Sequence, residues 1–395
     1  MKIAAHTLGC KLNYAETSDL LRRLGEEGNT IVEWGNVADI YIINTCTVTA
    51  VAEKKCRNAI RQAHRQNPDA QIVVMGCFAQ VAAEEIKKMP GLTQVLGNES
   101  KRLLSYSGED RTRTFFKIQD GCDYFCTYCA IPYARGRSRS ATIEETLCAA
   151  HRIADNGAKE VILTGVNTGT FGQHQDESFL DLLKELDQIK GILRYRISSI
   201  EPNLLTDDII DFVAHSRAFL PHFHIPLQAG SDHVLQLMHR RYDTALYASK
   251  LQKIKTVMPD ACIAADVMAG FNGETEEEFQ KVLTFIDSLP ISYLHVFTYS
   301  DRPGTAALKL GEKIPIPVRH KHTARLLELS EKKHREFTAS QLDKARPVLW
   351  EATEHGDAMF GWTDNYIRVA RPYDSSLVNT IETITLTPDN IVNET

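Results

Sequence analysis

The stretch FFKIQDGCDYFCTYC, residues 115–129, places three cysteines in C-x3-C-x2-C spacing directly after an apolar segment. The segment 115–119 is predicted to be a β-strand, so Cys122, Cys126 and Cys129 follow its carboxyl end. Three thiolates on a tight loop can surround one face of a cubane iron–sulfur cluster, which normally takes four cysteine ligands. No fourth cysteine is close in sequence, which would leave one iron open, as catalytic metal sites leave a free position. The alternative is a zinc knuckle or three buried thiols, but no Cys or His follows at knuckle spacing.

Outward from this loop, strands and helices alternate over residues 115–299. Short apolar runs predict six strands, at 115–119, 160–166, 194–200, 222–227, 262–268 and 293–299. Helical spacing fills the gaps, at 141–156, 179–189, 244–257 and 275–288. Six strands with intervening helices predict a β/α barrel, complete or partial, with its chemistry at the carboxyl ends of the strands.

The first hundred residues form a second, smaller alternation. Strands are predicted at 2–8, 39–45 and 70–76, and helices at 18–27, 50–65 and 79–89. This pattern predicts a small α/β domain with a parallel sheet. Cys10, Cys46 and Cys77 each follow one of the three strands, and ligands collect at the carboxyl ends of parallel strands. Three thiols would therefore meet at one edge of this sheet, either as ligands or as ordinary buried thiols.

The length of 395 residues predicts two or three domains. With 43% hydrophobic and 24% charged residues, the composition excludes disordered, collagen-like and disulfide-rich miniprotein classes. The sequence contains no run of about 18 apolar residues, so no membrane span is predicted. Residues 1–20 lack a signal-peptide core, so a cytoplasmic protein is expected. Nine cysteines in a compartment where disulfides are rare favour a metal role for some of them.

The carboxyl-terminal part changes character after a charged segment. A long helix at 317–343 is expected to lead away from the barrel, and the β-like segments 348–352, 366–370 and 380–386 predict a small antiparallel β domain. The predicted units are 1–98, a basic linker at 99–114, the barrel at 115–316, a connecting helix at 317–345, and the β domain at 346–395. This last unit has three basic and eight acidic residues and so carries most of the formal charge of −6.

Several of these motifs resemble those of one enzyme family. GCDYFCTYC resembles the cluster-binding motif of radical S-adenosylmethionine (SAM) enzymes, and IPYARGRSRS (131–140) resembles the stretch that follows it in methylthiotransferases. TLGCKLNYAET (7–17), INTCTVTAVAEKKCR (43–57) and VVMGCFAQ (73–80) resemble that family's three-cysteine amino-terminal domain. TLGCKLN and NTCTVT are most similar to the branch that acts on threonylcarbamoyladenosine in tRNA. The resemblance covers nearly the whole chain.

The resemblance implies two [4Fe–4S] clusters and SAM as cofactors. Cys122, Cys126 and Cys129 would hold the cluster that binds and cleaves SAM, and Cys10, Cys46 and Cys77 would hold an auxiliary cluster. We interpret the remaining Cys56, Cys148 and Cys262 as ordinary buried or surface residues. The implied partners are a tRNA and a flavodoxin- or ferredoxin-like electron donor, while the oligomeric state is left open.

The implied activity is methylthiolation of carbon 2 of N6-threonylcarbamoyladenosine next to the anticodon. The implied mechanism uses a 5′-deoxyadenosyl radical because this carbon does not respond to ordinary acid–base chemistry. Two alternatives keep the enzyme class and change the substrate to isopentenyladenosine in tRNA or to a ribosomal-protein aspartate. Another is a zinc-stabilised RNA-binding protein without redox chemistry.

Polar residues at the ends of the barrel strands resemble the family's cofactor-binding positions. The predicted SAM contacts are Tyr128, Gly165, Asn167, Ser199, Glu201, Gln228 and Asp266. Each of them singly could instead cap an element or form a turn. Two neighbouring positions depart from the family pattern, since Ala229 replaces a common Ser and Asn272 a common Pro. We expect the second change to loosen its loop.

A basic stretch after the cluster loop predicts contact with RNA. Arg135, Arg137 and Arg139 alternate there, and the guanidinium group suits phosphate. The linker region adds further basic residues, at Lys101, Arg102, Arg111, Arg113 and Lys117. The alternative is a solvated charged face with internal salt bridges.

The β domain takes the place of the family's small RNA-binding barrel, TRAM. Its net negative charge argues against RNA contact. Its aromatic residues could stack on bases or form its core, and they are Trp350, Phe360, Trp362 and Tyr366.

Overall fold

The computed structural model describes residues 1–98, 101–108 and 112–392. Its amino-terminal part is a five-stranded parallel sheet in the order β2-β1-β3-β4-β5. The strands are β1 Lys2–Thr7, β2 Thr30–Val32, β3 Ile40–Thr45, β4 Gln71–Gly76 and β5 Leu92–Leu96. The helices are α1 Lys11–Glu26, α2 Ala50–Gln66, α3 Cys77–Val81 and α4 Ala83–Ile86. The three predicted strands are confirmed, whereas the two edge strands β2 and β5 were not predicted.

The central part is an open barrel of parallel strands in chain order, with one antiparallel strand on its first edge and a separate two-stranded antiparallel sheet. The strands are β6 Ser105–Tyr106, β7 Arg113–Lys117, β8 Gln119–Asp120, β9 Arg139–Ser140, β10 Glu160–Thr164, β11 Arg194–Ile197, β12 His222–His224, β13 Cys262–Ala269 and β14 Tyr293–Thr298. Strands β7, β10 and β11 pair in parallel, as do β12, β13 and β14. Bridges from Tyr195 to Phe219 and from Ser199 to His224 connect the two halves. The predicted partial β/α barrel is confirmed.

Helices alternate with the strands of this barrel. They are α5 Ile131–Arg135, α6 Ile143–Asp155, α7 Phe179–Asp187, α8 Asp207–His215, α9 Asp232–Leu237, α10 Thr244–Val257, α11 Glu276–Ser288 and α12 Ile316–Ala339. Side-chain caps explain where several of them begin: Thr142 and Glu145 form a capping box at α6, and Thr275 caps α11. The short helices α8 and α9 were not predicted.

The inner faces of the barrel strands enclose a space that we call the lumen. Helix α1 of the amino-terminal part lies against this inner side, where Tyr14 meets Phe115 edge to face at 5.7 Å and Ala15 packs with Ile162. The first turn of α1, which begins immediately after Cys10, is thereby brought to the mouth of the barrel.

We expected the long charged helix α12 to lead away from the barrel, but it does not. It packs on β13 and β14, because Leu326 joins the barrel core and Ser330 accepts a hydrogen bond from the Leu294 amide at 2.9 Å. Lys333 donates to the Leu289 carbonyl at 2.7 Å. Two charged residues of this helix, Arg319 and Lys333, are therefore buried against the barrel and donate to backbone carbonyls.

The carboxyl-terminal part is an antiparallel sheet in the order β17-β16-β15-β18. Its strands are β15 Ala345–His355, β16 Ala358–Thr363, β17 Arg368–Pro372 and β18 Ile381–Thr385. Carbonyls of its β16–β17 turn accept hydrogen bonds from Arg194 and Arg196 at the amino end of the barrel. The small antiparallel β domain is confirmed, and it closes the bottom of the lumen.

The domain limits given above stay predictions. The predicted linker 99–114 contains β6 and the first residues of β7, and its residues 99, 100 and 109–111 lie outside the described residues. Within the described part of the chain, no helix has both the length and the apolar character of a membrane span.

Candidate active site

The C-x3-C-x2-C loop is held on the barrel by main-chain and side-chain hydrogen bonds. The Cys122 amide donates to the Gly136 carbonyl at 3.1 Å, and the Thr127 amide donates to the Met238 carbonyl at 3.1 Å. Gly121 has a φ of 70°, and a Cβ there would lie 1.9 Å from the Arg137 carbonyl oxygen. Only glycine fits this close approach, so the loop reverses at the residue before its first cysteine.

The three thiols of this loop are close enough to influence one another. Burial, followed by the charges of the neighbouring Cys126 and Cys122, raises the pKa of Cys129 to about 12. Burial likewise raises the pKa of Cys122 to about 11. Without a bound cation these buried thiols stay protonated, whereas a metal centre binds them as thiolates. Three clustered thiols in a protected loop fit an iron–sulfur cluster that keeps one iron free of protein ligands.

Arg240 is a residue of this site that sequence reasoning missed. Its Nη1 lies 3.2 Å from the Cys126 sulfur and 3.3 Å from the Tyr128 hydroxyl, and its Nη2 pairs with Glu201. A guanidinium hydrogen bond to a ligating sulfur is one of the ways a protein sets cluster properties. No spacing rule connects Arg240 to the cysteine loop 114 residues earlier.

The second set of cysteines meets at the carboxyl edge of the amino-terminal sheet, as predicted. Cys10, Cys46 and Cys77 follow β1, β3 and β4, which are neighbours in the sheet. Burial raises the pKa of Cys46 to about 12, with smaller effects from Cys77 and Cys10. Gly9 has a φ of 114°, and a Cβ there would lie 3.2 Å from the Cys46 sulfur, so glycine allows the Cys10 turn to pack against Cys46.

Cys56, which we interpreted as an ordinary residue, supports this second set. Its sulfur accepts a hydrogen bond from the Cys46 amide at 3.4 Å and donates to the Cys46 carbonyl at 3.6 Å. Cys56 thus fixes the backbone of one ligand candidate without belonging to the predicted triplet. Cys148 is exposed and Cys262 lies in the interface with the β domain, in agreement with the interpretation of both as bystanders.

One cavity is lined by residues that belong to or follow both sets of cysteines. It has a volume of about 170 Å³ and is bounded by Val48 and Thr49 after Cys46 and by Tyr128 and Cys129 of the cysteine loop. The barrel contributes the strand-end residues Gln228, Met268 and Phe297. A molecule in this cavity would contact both sides, which is the arrangement that an enzyme with two metal clusters needs.

The predicted SAM contacts lie at the mouth of the barrel, but some of them are free of internal partners or line the cavity and others are engaged within the protein. Asn167 is buried, and both polar atoms of its amide lack a hydrogen-bond partner among the described residues. Such a side chain is prepared for an external ligand. Gln228 lines the cavity with a φ of 64°, and Tyr128 forms part of the wall, with its ring edge to face against Phe271.

The other predicted contacts are already engaged within the protein. Glu201 pairs with Arg240, and Asp266 accepts from His224 at 2.7 Å. A Cβ on Gly165 would lie 2.9 Å from Gln119 Oε1, so the close approach at this glycine is to a side chain of the protein. Ser199 is half-buried, and its carbonyl accepts from Thr168. The assignment of these residues to SAM stays a prediction.

The expectation that Asn272 loosens its loop is wrong. The Asn272 side chain is fully buried, and its amide donates to the Ala307 carbonyl at 2.8 Å. Its side-chain oxygen also accepts from Arg319 at 3.5 Å. These hydrogen bonds hold the loop in place of the rigidity that proline would give.

Arg135 requires a correction, because it does not reach the surface. Its side chain is 1% exposed and donates to Glu16 at 3.0 Å and to Asp120 at 2.9 Å. Lys117 contacts the same two carboxylates at 2.8 and 2.7 Å, and Lys101 pairs with Glu16. We call these five residues the α1–barrel ion network. It joins the amino-terminal part to the barrel and leaves Arg135 unavailable to tRNA.

The predicted basic patch is reduced accordingly. Arg137 is 75% exposed and Arg139 is 36% exposed, with ion pairs at 3.3 Å to Asp123 and 3.4 Å to Asp120. Lys101 and Lys117 are buried in the network, and Arg113 pairs with Glu351 of the β domain at 3.1 Å. Arg111 lies outside the described residues. Arg137 and Arg139 stay predictions as tRNA contacts.

The aromatic residues of the β domain are engaged inside the protein. Trp350 is 1% exposed in the domain core. Trp362 stacks on Tyr366 at 4.4 Å, and Tyr366 stacks on His222 of the barrel at 4.4 Å. Arg368 covers Phe360 at 4.3 Å. In this arrangement the four rings do not form a free platform for bases, in agreement with the core interpretation.

Comparisons with known families match two separate segments of the chain. Residues 2–97 match the family described as uncharacterized protein family UPF0004, and residues 116–286 match the radical SAM superfamily. The fold is similar to that of the radical SAM methyltransferase TsrM from Kitasatospora setae, with a TM-score of 0.54 and 12% identity over 75% of this chain and 74% of that chain. At this identity the likeness concerns the fold alone.

Sequence relatives align along nearly the whole chain. The threonylcarbamoyladenosine tRNA methylthiotransferase MtaB of Bacillus subtilis (strain 168) is 38% identical over 93% of this chain and 89% of its own length. The protein of the same name from Aquifex aeolicus (strain VF5) is 36% identical over 94% of this chain and 97% of its own length. The tRNA-2-methylthio-N(6)-dimethylallyladenosine synthase of Desulfitobacterium hafniense (strain Y51) is 30% identical over 96% of this chain and 93% of its own length.

Proposed function

This chain belongs to the MtaB family of radical SAM methylthiotransferases, and from that premise we propose that it converts N6-threonylcarbamoyladenosine in tRNA to its 2-methylthio derivative. The observation that carries the proposal is one cavity lined by Cys129 of the first cysteine set and by Val48 and Thr49, which follow Cys46 of the second set. Relatives named threonylcarbamoyladenosine tRNA methylthiotransferase reach 38% identity, whereas three relatives named tRNA-2-methylthio-N(6)-dimethylallyladenosine synthase are 30 to 31% identical. The threonylcarbamoyl substrate is therefore favoured over the isopentenyl one.

The cofactors are SAM and [4Fe–4S] clusters. Cys122, Cys126 and Cys129 would hold the cluster at the barrel mouth, and Cys10, Cys46 and Cys77 would hold the auxiliary cluster. When bound, these groups supply the electron for reductive cleavage of SAM and the sulfur for transfer. Cys46, Cys77 and Cys126 are buried, and thiols within each triplet act on one another electrostatically, which fits this ligand role.

The protein's own residues organise the reaction space. Tyr128 and Gln228 form walls of the cavity, and Asn167 offers an unpaired buried amide at the barrel mouth. Arg240 holds the Cys126 sulfur, the Tyr128 hydroxyl and Glu201 together, so the cysteine loop and the third barrel strand keep a fixed relation. Enclosure between two domains keeps water from a reactive intermediate.

The partners follow from the same premise. The tRNA approaches the cavity along the exposed Arg137 and Arg139, whose guanidinium groups can contact phosphate. A flavodoxin- or ferredoxin-like protein supplies electrons, and the enzyme acts in the cytoplasm, where its tRNA substrate is found.

A deletion strain tests the proposed function. Nucleoside mass spectrometry of its tRNA should show threonylcarbamoyladenosine without the 2-methylthio form, and the wild-type gene should restore that form. Cys126→Ala should not restore it, whereas the matched control Cys148→Ala should. Loss of the 2-methylthio isopentenyl nucleoside instead would assign the other substrate. A colourless protein with stoichiometric zinc after anaerobic reconstitution with iron and sulfide would overturn the cluster chemistry.

A further inference from the structure

Three polar side chains form a layer across the inner face of the second half of the barrel. They are His224 on β12, Asp266 on β13 and His295 on β14, and their polar atoms lie within 4.8 Å of one another. His224 Nε2 is 2.7 Å from Asp266 Oδ1, and the two imidazole rings are 5.0 Å apart. Ala265 and Val267 on either side of Asp266 pack in the core on the opposite face, so Asp266 points into the lumen.

This layer lies directly below the cavity beside the cysteine loop. Met268 and Phe297 line that cavity, and each is two residues further along its strand than Asp266 or His295. Residues two apart on a strand share a face, so the cavity and the layer belong to one continuous space. His295 is exposed to this space.

The positive charge of Lys11 on helix α1 also acts on this layer. It is the first residue of α1, next to the cluster ligand candidate Cys10. Burial opposes the charge of Asp266, but His224, His295 and Lys11 hold the pKa of Asp266 below its usual range. Desolvation, His224 and Lys11 lower the pKa of His295. Across residues 1–98, 101–108 and 112–392, no hydrogen bond or ion pair to the Lys11 ammonium is found.

The charges of this space favour an anion. The Asp266 carboxylate of the layer is already hydrogen-bonded to His224, whereas the Lys11 ammonium and the His295 ring remain available as donors. Two histidines and a carboxylate could also ligate a metal ion, but the Lys11 charge opposes a second cation there. The substrate of the proposed function carries a carboxylate on its threonyl group, and the isopentenyl nucleoside carries none.

We propose that Lys11, together with His224 and His295, forms a subsite that binds the threonyl carboxylate of the substrate base. This inference rests on the proposed function and explains how the enzyme selects the threonylcarbamoyl nucleoside. The carboxylate enters the lumen toward the histidine layer while the adenine ring stays in the cavity. Removing the charge of the Lys11 side chain or the charge of the substrate carboxylate then removes the same ion pair.

The test measures binding by the reconstituted holoenzyme without reductant. Two anticodon stem-loop RNAs are compared by fluorescence anisotropy, one with threonylcarbamoyladenosine and one with its methyl ester. The wild type should bind the acid about 10- to 100-fold more tightly than the ester, as a charge-assisted hydrogen bond requires. Lys11→Gln should weaken binding of the acid to the level of the ester and leave ester binding unchanged. Lys11→Arg, which keeps the charge, should retain the preference.

A second variant keeps the test valid if Lys11→Gln loses the neighbouring cluster. His295→Gln is remote from the cysteines in sequence and should also reduce the preference for the acid. Equal weakening of both RNAs by Lys11→Gln would overturn the subsite and assign Lys11 to phosphate. Stoichiometric zinc that is retained by the wild type and lost in His295→Gln would overturn it in favour of a metal.

Failure of the proposed function gives a different result. With reductant and SAM present, a wild type that methylthiolates the dimethylallyl RNA and not the threonylcarbamoyl RNA refutes the proposed function. A wild type that converts the threonylcarbamoyl RNA but binds acid and ester equally refutes only the carboxylate subsite.

Discussion

Glu16→Gln removes the central carboxylate of the α1–barrel ion network. The Glu16 side chain is 2% exposed and pairs with Lys101, Lys117 and Arg135. Burial alone would raise the pKa of Glu16, but Arg135, Lys101 and Lys117 lower it well below its usual range. The substitution therefore leaves three buried cations with Asp120 as the one remaining carboxylate of the network.

The size of the effect follows from this burial. Breaking a buried ion pair by removing one partner costs about 3–5 kcal/mol in the free energy of unfolding. For a cooperative unit of roughly 200 residues, this corresponds to a decrease in Tm of about 6–20 °C. Exposed pairs contribute only about 0–1 kcal/mol.

The pH dependence has a definite sign. Burial raises the pKa of Asp120, but Arg135 and Lys117 lower it to about 2. Carboxylates with lowered pKa stabilise the folded state above their unfolded pKa of about 4, and this stabilisation is lost as the pH falls toward the folded value. The Tm of the wild type should therefore fall steeply between about pH 4.5 and pH 2, and that of Glu16→Gln less steeply.

Differential scanning fluorimetry at neutral pH measures this prediction. The control is Glu26→Gln, because Glu26 lies on the same helix with a side chain 66% exposed and 3.9 Å from Arg22. The control should change Tm by no more than a few degrees. If Glu16→Gln shifts Tm as little as Glu26→Gln does, the network does not stabilise the interface and the reasoning is refuted.

Three further predictions concern the clusters and the tRNA. Cys126→Ala should retain about four irons per chain after reconstitution instead of about eight and form no 5′-deoxyadenosine, while the exposed Cys148→Ala should match the wild type in both. Arg240→Gln removes a hydrogen bond and a positive charge from the Cys126 sulfur, so the midpoint potential by EPR titration should become more negative; an unchanged potential would contradict this. Arg137→Gln and Arg139→Gln should each weaken tRNA binding and reduce its log–log salt dependence by about one, with Tm unchanged; an unchanged salt slope would remove these residues from the interface.

Much of the candidate site was predictable because its signals are local. The C-x3-C-x2-C spacing keeps three thiols within one short loop, so their proximity needs no tertiary information. Cys10, Cys46 and Cys77 come from distant segments, yet their positions after parallel strands predicted a common edge. The alternation of strands and helices was sufficient to predict the six barrel strands, whose apolar runs are long enough to recognise.

Side chains that meet across long sequence distances were not predictable in this way. Arg135 and Arg137 look alike in sequence, but Arg135 is buried against Glu16, 119 residues away, and Arg137 is exposed. Asn272 and Cys56 acquire their roles from carbonyl and amide groups that only the folded chain places beside them.

The sequence by itself determined the three-part architecture, the two cysteine triplets and the enzyme family, because each rests on periodicity, short spacing or motif order. The tertiary structure alone decided which charges are available. It buried Lys101, Lys117 and Arg135 in a network and left the Lys11 charge close enough to act on His295. The physical reason is that a charged side chain forms an ion pair within the protein only where packing brings an opposite charge near it. Otherwise it stays available to a ligand, and composition does not record those neighbours.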